Sequence, residues 1–225
     1  LQAMMHKVVS VPPNFYNNAI YGAGDINIGS LNNKDNIHGD VRYGQSLSPN
    51  PPPSGAIVEG GSAISDPSIS PLARLDFDQL RTISQSQPGN YNNPAGPFPT
   101  SFWYDEAAGI PNVIFLEGNF TLSGNKTIGG FIVVGGEVIC DVTLTGNVSV
   151  NGAVYTLGNF TVKGGGNALN INGGVWVGQQ TTLTGNAKIQ YNATYMSAIE
   201  ALGINTSAQI SSWTDTQNPY VLSNP

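Results

Sequence analysis

Charge is scarce in this sequence. Only 10% of its 225 residues are Asp, Glu, Lys or Arg, against about a quarter in ordinary soluble domains, and eight basic against fourteen acidic residues leave a net charge of -6. With no basic stripe to displace phosphate counterions, nucleic acid and anionic membrane surfaces are set aside as partners. The single cysteine, Cys140, rules out an intramolecular disulfide and a paired-thiol metal site. It shares the alternation of Val138, Val142 and Leu144 and reads as a small buried apolar residue. No run of about 18 apolar residues and no secretion-signal pattern is present.

Glycine (28 residues), asparagine and threonine replace the missing charge, a composition typical of secreted β-solenoids. Between 113 and 192 the chain repeats with a drifting period near twenty. Gly-Asn pairs at 124, 146, 166 and 185 are spaced 22, 20 and 19 residues apart, and Gly118, Gly136, Gly158 and Gly178 form a second series. Short apolar/polar alternations lie between these corners, such as Val142-Thr143-Leu144 and Phe160-Thr161-Val162, and each buries one face. Such coils complete their core only by stacking on one another. A propeller blade needs about 40 to 45 residues, so the period predicts an all-β, parallel β-helix (solenoid). The usual preference of parallel crossovers makes it right-handed.

Residues 1–18 read as a lead-in. Residues 19–45 align without a gap to 153–179, with ten identities in 27 that include Ala19/Ala153, Tyr21/Tyr155, Gly24/Gly158 and Gln45/Gln179. The segment 19–45 is therefore a first coil, inferred to stack below the main run, and the solenoid is discontinuous in sequence. Residues 46–112 form a Pro-rich excursion with one helix over about 71–86, capped by Ser70 with Pro71 in its first turn and stopped by Pro88-Gly89. A loop of this length is expected to cover a solenoid face or end. After the main coils (113–192), Asn192 or Thr194 caps a short helix through Met196 and Ile199 that Gly203 closes, expected as an end cap over unpaired strand edges. The tail to 225 carries Trp213, Tyr220 and Val221, expected against the body. The whole chain reads as one domain.

Polysaccharide-cleaving solenoids carry dense carboxylates and basic groups on an outer face, a density this chain lacks. Glu117 and Glu137 recur about one coil apart near one corner, where a ladder position shared with Asn159 and Gln179 competes with an acid/base pair. His38, Asp25 and Asp40 replace corner residues of the aligned coil, and corner duty outweighs catalysis or calcium binding there. Six Asn-X-Ser/Thr sequons (Asn119, Asn125, Asn147, Asn159, Asn192, Asn205) follow from corner chemistry. No catalytic residue, cofactor or metal is assigned. The candidate contacts for a ligand or partner are the aromatic trio Phe102, Trp103 and Tyr104 with Trp176, and Tyr155 beside them. Stacking on sugar rings competes there with ordinary packing of the excursion.

The coil AIYGAGDINIGS followed by NIHGDVRYGQ, the helical DFDQLRTIS, the run VIFLEGNFTLSGNKTIGGFIVVGG and the ending IQYNATYMSAIEALG with a later SSWTD together resemble the C-terminal β-helix passenger of bacterial PilX-like type IV pilus assembly proteins. The resemblance covers roughly residues 19–215. It implies a pilin-like hydrophobic helix preceding the solenoid, hence membrane attachment through an anchor outside this chain, and it implies no catalytic residues. The expected role is a non-enzymatic structural or interaction module outside the bacterial cytoplasm, at the cell surface or secreted, contacting pilus or other surface proteins or a glycan surface. A polysaccharide-binding or polysaccharide-cleaving β-helix, and a self-polymerising solenoid of the bactofilin type, are the alternatives.

Overall fold

The structure, a computed structural model, describes residues 11–12, 14–31, 37–49 and 60–206. It is a parallel β-solenoid with three strand-bearing faces and two α-helices. On the first face, strands 113–116, 131–134, 153–156, 175–177, 20–22, 41–43 and 63–65 stack in that order. The second face stacks 120–124, 142–146, 160–164, 181–185, 26–31 and 47–48. The third stacks 127–130, 149–152, 170–173, 189–191 and 37–38.

This order keeps the expected discontinuity but reverses the placement: the N-terminal coil does not lie below the start of the main run. The N-terminal coil follows the last coil of the main run, with Ile20 against Val175, Ile26 against Thr181 and Ile37 against Ile189. The described path thus enters the solenoid at mid-length with 20–22, passes to the 63–65 end, returns along the excursion and winds again from the opposite end to a seam. The gapless alignment has the right phase, because 153–179 and 19–45 pass through the same faces two levels apart.

Alternation produces the inner core. Ile114, Ile132, Val154, Val175, Ile20 and Val41 stack behind the first face, and Ile128, Val150, Ile171, Ile189 and Ile37 behind the third, all at most 1% exposed. Each fully buried side chain contributes roughly 1.5 to 3 kcal/mol. At the corner after the third face the chain bends through Gly130, Gly152 and Gly173, which lie in register with positive φ. A Cβ on Gly152 would stand 1.9 Å from the carbonyl oxygen of Gly130, so only glycine fits.

A second apolar layer lies outside the first face. Its register column Phe115, Val133, Tyr155, Trp176 and Tyr21 is buried, and it is covered by the lead-in, the excursion and the C-terminal helix. The excursion crosses this column in sequence order: Ile69 lies by Gly44, Leu75 by Tyr155, and Phe77 between Tyr155 and Phe115. Its helix, α1, spans Phe77–Ser86 and not 71–86. The Tyr155 hydroxyl donates to the carbonyl of Ala73 and accepts the N–H of Leu75, holding that stretch extended. Asp76 then caps the helix by accepting the N–H groups of Asp78 and Gln79, while Pro71 follows a cis peptide bond outside it.

The C-terminal helix, α2, spans Ala193–Glu200 with Asn192 as its cap. It seals the flank of the first face through Met196 and Ile199 and not a solenoid end. No edge remains at Tyr191 for it to cap, because the N-terminal coil already pairs there. Trp213, Tyr220 and Val221 lie outside the described residues.

Candidate interaction surface

The four aromatic candidates divide by burial. Trp176 is 0% exposed. Its ring stacks on Phe15 at 4.8 Å with an interplanar angle of 7°, and its Nε1–H donates to the carbonyl of Phe15 at 2.7 Å. Phe102, 1% exposed, stacks on Tyr195 at 4.0 Å. Neither presents a ring to a ligand at the surface: the lead-in covers one and α2 the other. Tyr155 is likewise interior, and burial pushes its phenol well above the usual tyrosine range.

Trp103 and Tyr104 do reach the surface. They lie on a small antiparallel hairpin, Trp103–Asp105 with Ile110–Pro111, whose turn is held by the Asp105 carboxylate accepting the N–H of Ala108. Trp103 is half-buried, edge-on to Phe102, while Tyr104 and Ile110 are exposed. The structure therefore separates a covered pair from an accessible pair within the predicted group.

The carboxylate candidates do not pair. Strand register places Leu116 beside Val134 and Phe120 beside Val142, so three residues (117–119) turn the first corner and seven (135–141) turn the next. The equivalent corners 157–159, 178–180, 23–25 and 44–46 all take three. Glu137 therefore belongs to a four-residue insertion, off the ladder on which the period had placed it. Glu117 is engaged instead by Arg81 at 3.0 Å and by the Tyr91 hydroxyl at 3.1 Å, which ties α1 to the solenoid.

The ladder itself runs one residue before each second-face strand: Asn119, Asp141, Asn159, Gln180, Asp25 and Ser46. Asn119 Oδ1 accepts the N–H of Asp141, Asp141 Oδ1 that of Asn159, and Asn159 Oδ1 that of Gln180, at 2.8, 2.7 and 3.2 Å. Asp25 accepts from the Ser46 hydroxyl and Asp40 from the N–H of Ser62, so these two carboxylates serve different corners. Among the described residues no group of three or more His, Cys, Asp or Glu side chains converges as a metal set.

Sequence reasoning missed Val138 and Ile139. Alternation assigned Val138 to the buried series of Cys140, yet the inserted corner leaves them 71% and 59% exposed, above every other large apolar side chain described, while Cys140 is buried at 1%. Counting residues between consecutive strands was the available signal. No family model matches the chain, and no curated protein matches its sequence.

Proposed function

We propose that this chain is a non-enzymatic structural or interaction module acting outside the bacterial cytoplasm, most readily as a pilus-assembly or minor pilin-like surface component. The observation that carries the reading is the commitment of its polar corner groups. Asn119, Asp141, Asn159 and Asp25 are spent on holding coils together and Glu117 on holding α1, so their chemistry is directed inward at rigidity. A solenoid braced along one face by a second apolar layer is suited to present fixed outer surfaces to other subunits. The test is surface proteolysis of intact cells together with recovery of the protein in sheared pili. Protease resistance in intact cells, or absence from the pilus fraction, sinks it.

A glycan-binding role is the second reading, favoured by the accessible Trp103 and Tyr104 on one hairpin, since aromatic faces stack on sugar rings. A glycan array with the parent chain and Trp103→Ala decides it: binding abolished by the substitution supports this reading. Reducing-sugar release that disappears in Glu137→Gln would overturn the non-enzymatic character of the first.

A further inference from the structure

The starting end of the main run is closed on the first and third faces and open on the second. On the first face, the outward N–H of Val113 meets Gln87 Oε1, the N–H of Phe115 meets the carbonyl of Asn90, and the Phe115 carbonyl accepts the N–H of Asn92. On the third, the outward N–H of Gly129 donates to the carbonyl of Pro99. The second-face strand, Phe120–Gly124, has its inward groups engaged, since Phe120 N–H donates to Asp141 and the Gly124 carbonyl accepts from Asn147. Alternation turns the backbone groups of Thr121 and Ser123 the other way, and no described residue pairs with them. Phe98 plugs the core beside Phe120 at 5.7 Å without pairing the strand. The opposite end contrasts with this one: its second-face edge is the two-residue strand Leu47–Ser48, followed at once by Pro49 and by Pro51, Pro52 and Pro53. Short edges and prolines are the usual guards against strand addition, and Phe120–Gly124 has neither.

We infer that this edge is a pairing surface for a second copy of the chain, joined antiparallel about a twofold axis at Leu122. In that arrangement Thr121 faces Ser123 of the other copy, each pair exchanging both backbone hydrogen bonds, and Leu122 faces its own counterpart as a non-hydrogen-bonded pair. The sequence FTLSG is self-complementary in this sense: Thr meets Ser, Leu meets Leu, and no like charges oppose. Glu117, shared with Arg81 but still 38% exposed, precedes the strand and Lys126 follows it, so antiparallel pairing brings opposite charges together at both flanks, whereas parallel pairing sets like against like. The insertion bearing Val138 and Ile139 turns the same corner one coil away and supplies an apolar rim. The twofold closes the assembly at two copies, and the guarded opposite edge stops it growing into a filament. One strand pair with its flanks buries less than the roughly 1,200 Å² of a stable complex, so the dimer is weak and concentration-dependent.

The test is sedimentation velocity of the whole chain over a hundredfold range of concentration. A reversible monomer–dimer equilibrium is expected. Ser123→Pro removes an N–H that points away from the ladder, a place where an edge strand tolerates proline, so it weakens dimerisation at least tenfold while the far-UV spectrum is unchanged. Lys126→Glu weakens it in a manner that added salt relieves. A chain monomeric at every concentration, or a dimer indifferent to Ser123→Pro, overturns the inference. If the proline variant does not fold, Thr121→Cys combined with Ser123→Cys decides: oxidation is expected to give a covalent dimer, and monomer alone overturns the proposal.

Discussion

Asp141 Oδ1 accepts both the backbone N–H of Asn159, at 2.7 Å, and its side-chain amide, at 3.1 Å, tying two coils at the corner where the four-residue insertion rejoins the solenoid. Asn119 and Asn159 play the same role in the adjacent coils on either side, with an amide oxygen in place of a carboxylate. The position therefore requires an acceptor and not a charge. Asp141→Asn is expected to unfold within about 0.5 kcal/mol of the parent. Asp141→Ala leaves the half-buried Asn159 N–H unpaired and is expected to cost about 1–3 kcal/mol. Urea unfolding of both variants measures the difference, and equal losses would mean that the charge matters after all.

Gly152 and Gly136 separate two kinds of glycine. At Gly152 φ is +146° and an added Cβ meets the Gly130 carbonyl at 1.9 Å, whereas at Gly136 an added Cβ meets nothing within 4 Å. Gly152→Ala must displace the neighbouring coil, and a loss of more than about 4 kcal/mol, or failure to fold, is expected. Gly136→Ala is expected to be neutral or slightly stabilising, because it restricts the unfolded chain. Thermal melts of the pair test this, and a tolerated Gly152→Ala would contradict the stacked corner.

The same two glycines show how far the sequence could be read. The period near twenty revealed a solenoid because inward Val, Ile and Phe and corner Gly and Asn recur wherever coils stack. It put Gly136 in series with Gly118 and Glu137 opposite Glu117 because a period counts residues and not corners. A four-residue insertion shifts everything inside it while leaving the flanking strands in register. The direction of the N-terminal coil was hidden for a related reason: alignment of 19–45 with 153–179 fixes phase around the axis but not level along it. The aromatic candidates divided on tertiary grounds alone, since the burial of Trp176 depends on Phe15, 161 positions away.

Tyr16 and Tyr21 set an alkaline limit. Both phenols are pushed up to about 12 from 10.0. Burial is the main cause for each, reinforced by Glu200 at Tyr16, and at Tyr21 by Asp66 against the opposing pull of Arg42. A phenol that holds its proton more tightly when folded contributes stability that is whole below pH 10 and drains away as pH climbs from 10 towards 12. Phenolate absorbance from Tyr16 and Tyr21, and from Tyr155, whose phenol burial also pushes up, is expected to appear only as circular dichroism is lost. Complete ionisation near pH 10 with the solenoid intact would show that the outer layer does not shield these rings.

Among the described residues Thr181 is the one polar side chain in the inward stack of the second face, between Phe160 and Ile26. It is 0% exposed, and its hydroxyl has no hydrogen-bond partner. Ile26 belongs to the N-terminal coil, so the unpaired hydroxyl lies at the seam where the two ends of the chain's path meet. An orphaned buried hydroxyl costs about 1–3 kcal/mol, and valine has nearly the same shape. Thr181→Val is expected to raise stability by about 1 kcal/mol in urea, with Thr182→Val on the outward side near zero. A destabilised Thr181→Val would mean that the hydroxyl finds a partner in solution. A stabilised one would show that the seam is held below the strength its apolar stacks allow, which makes the N-terminal coil the first segment of the solenoid to separate under denaturant. Hydrogen exchange at Ala23, whose N–H bonds to Val177 across the seam at 2.8 Å, would then slow in the variant relative to exchange at Gly135, which lies far from it.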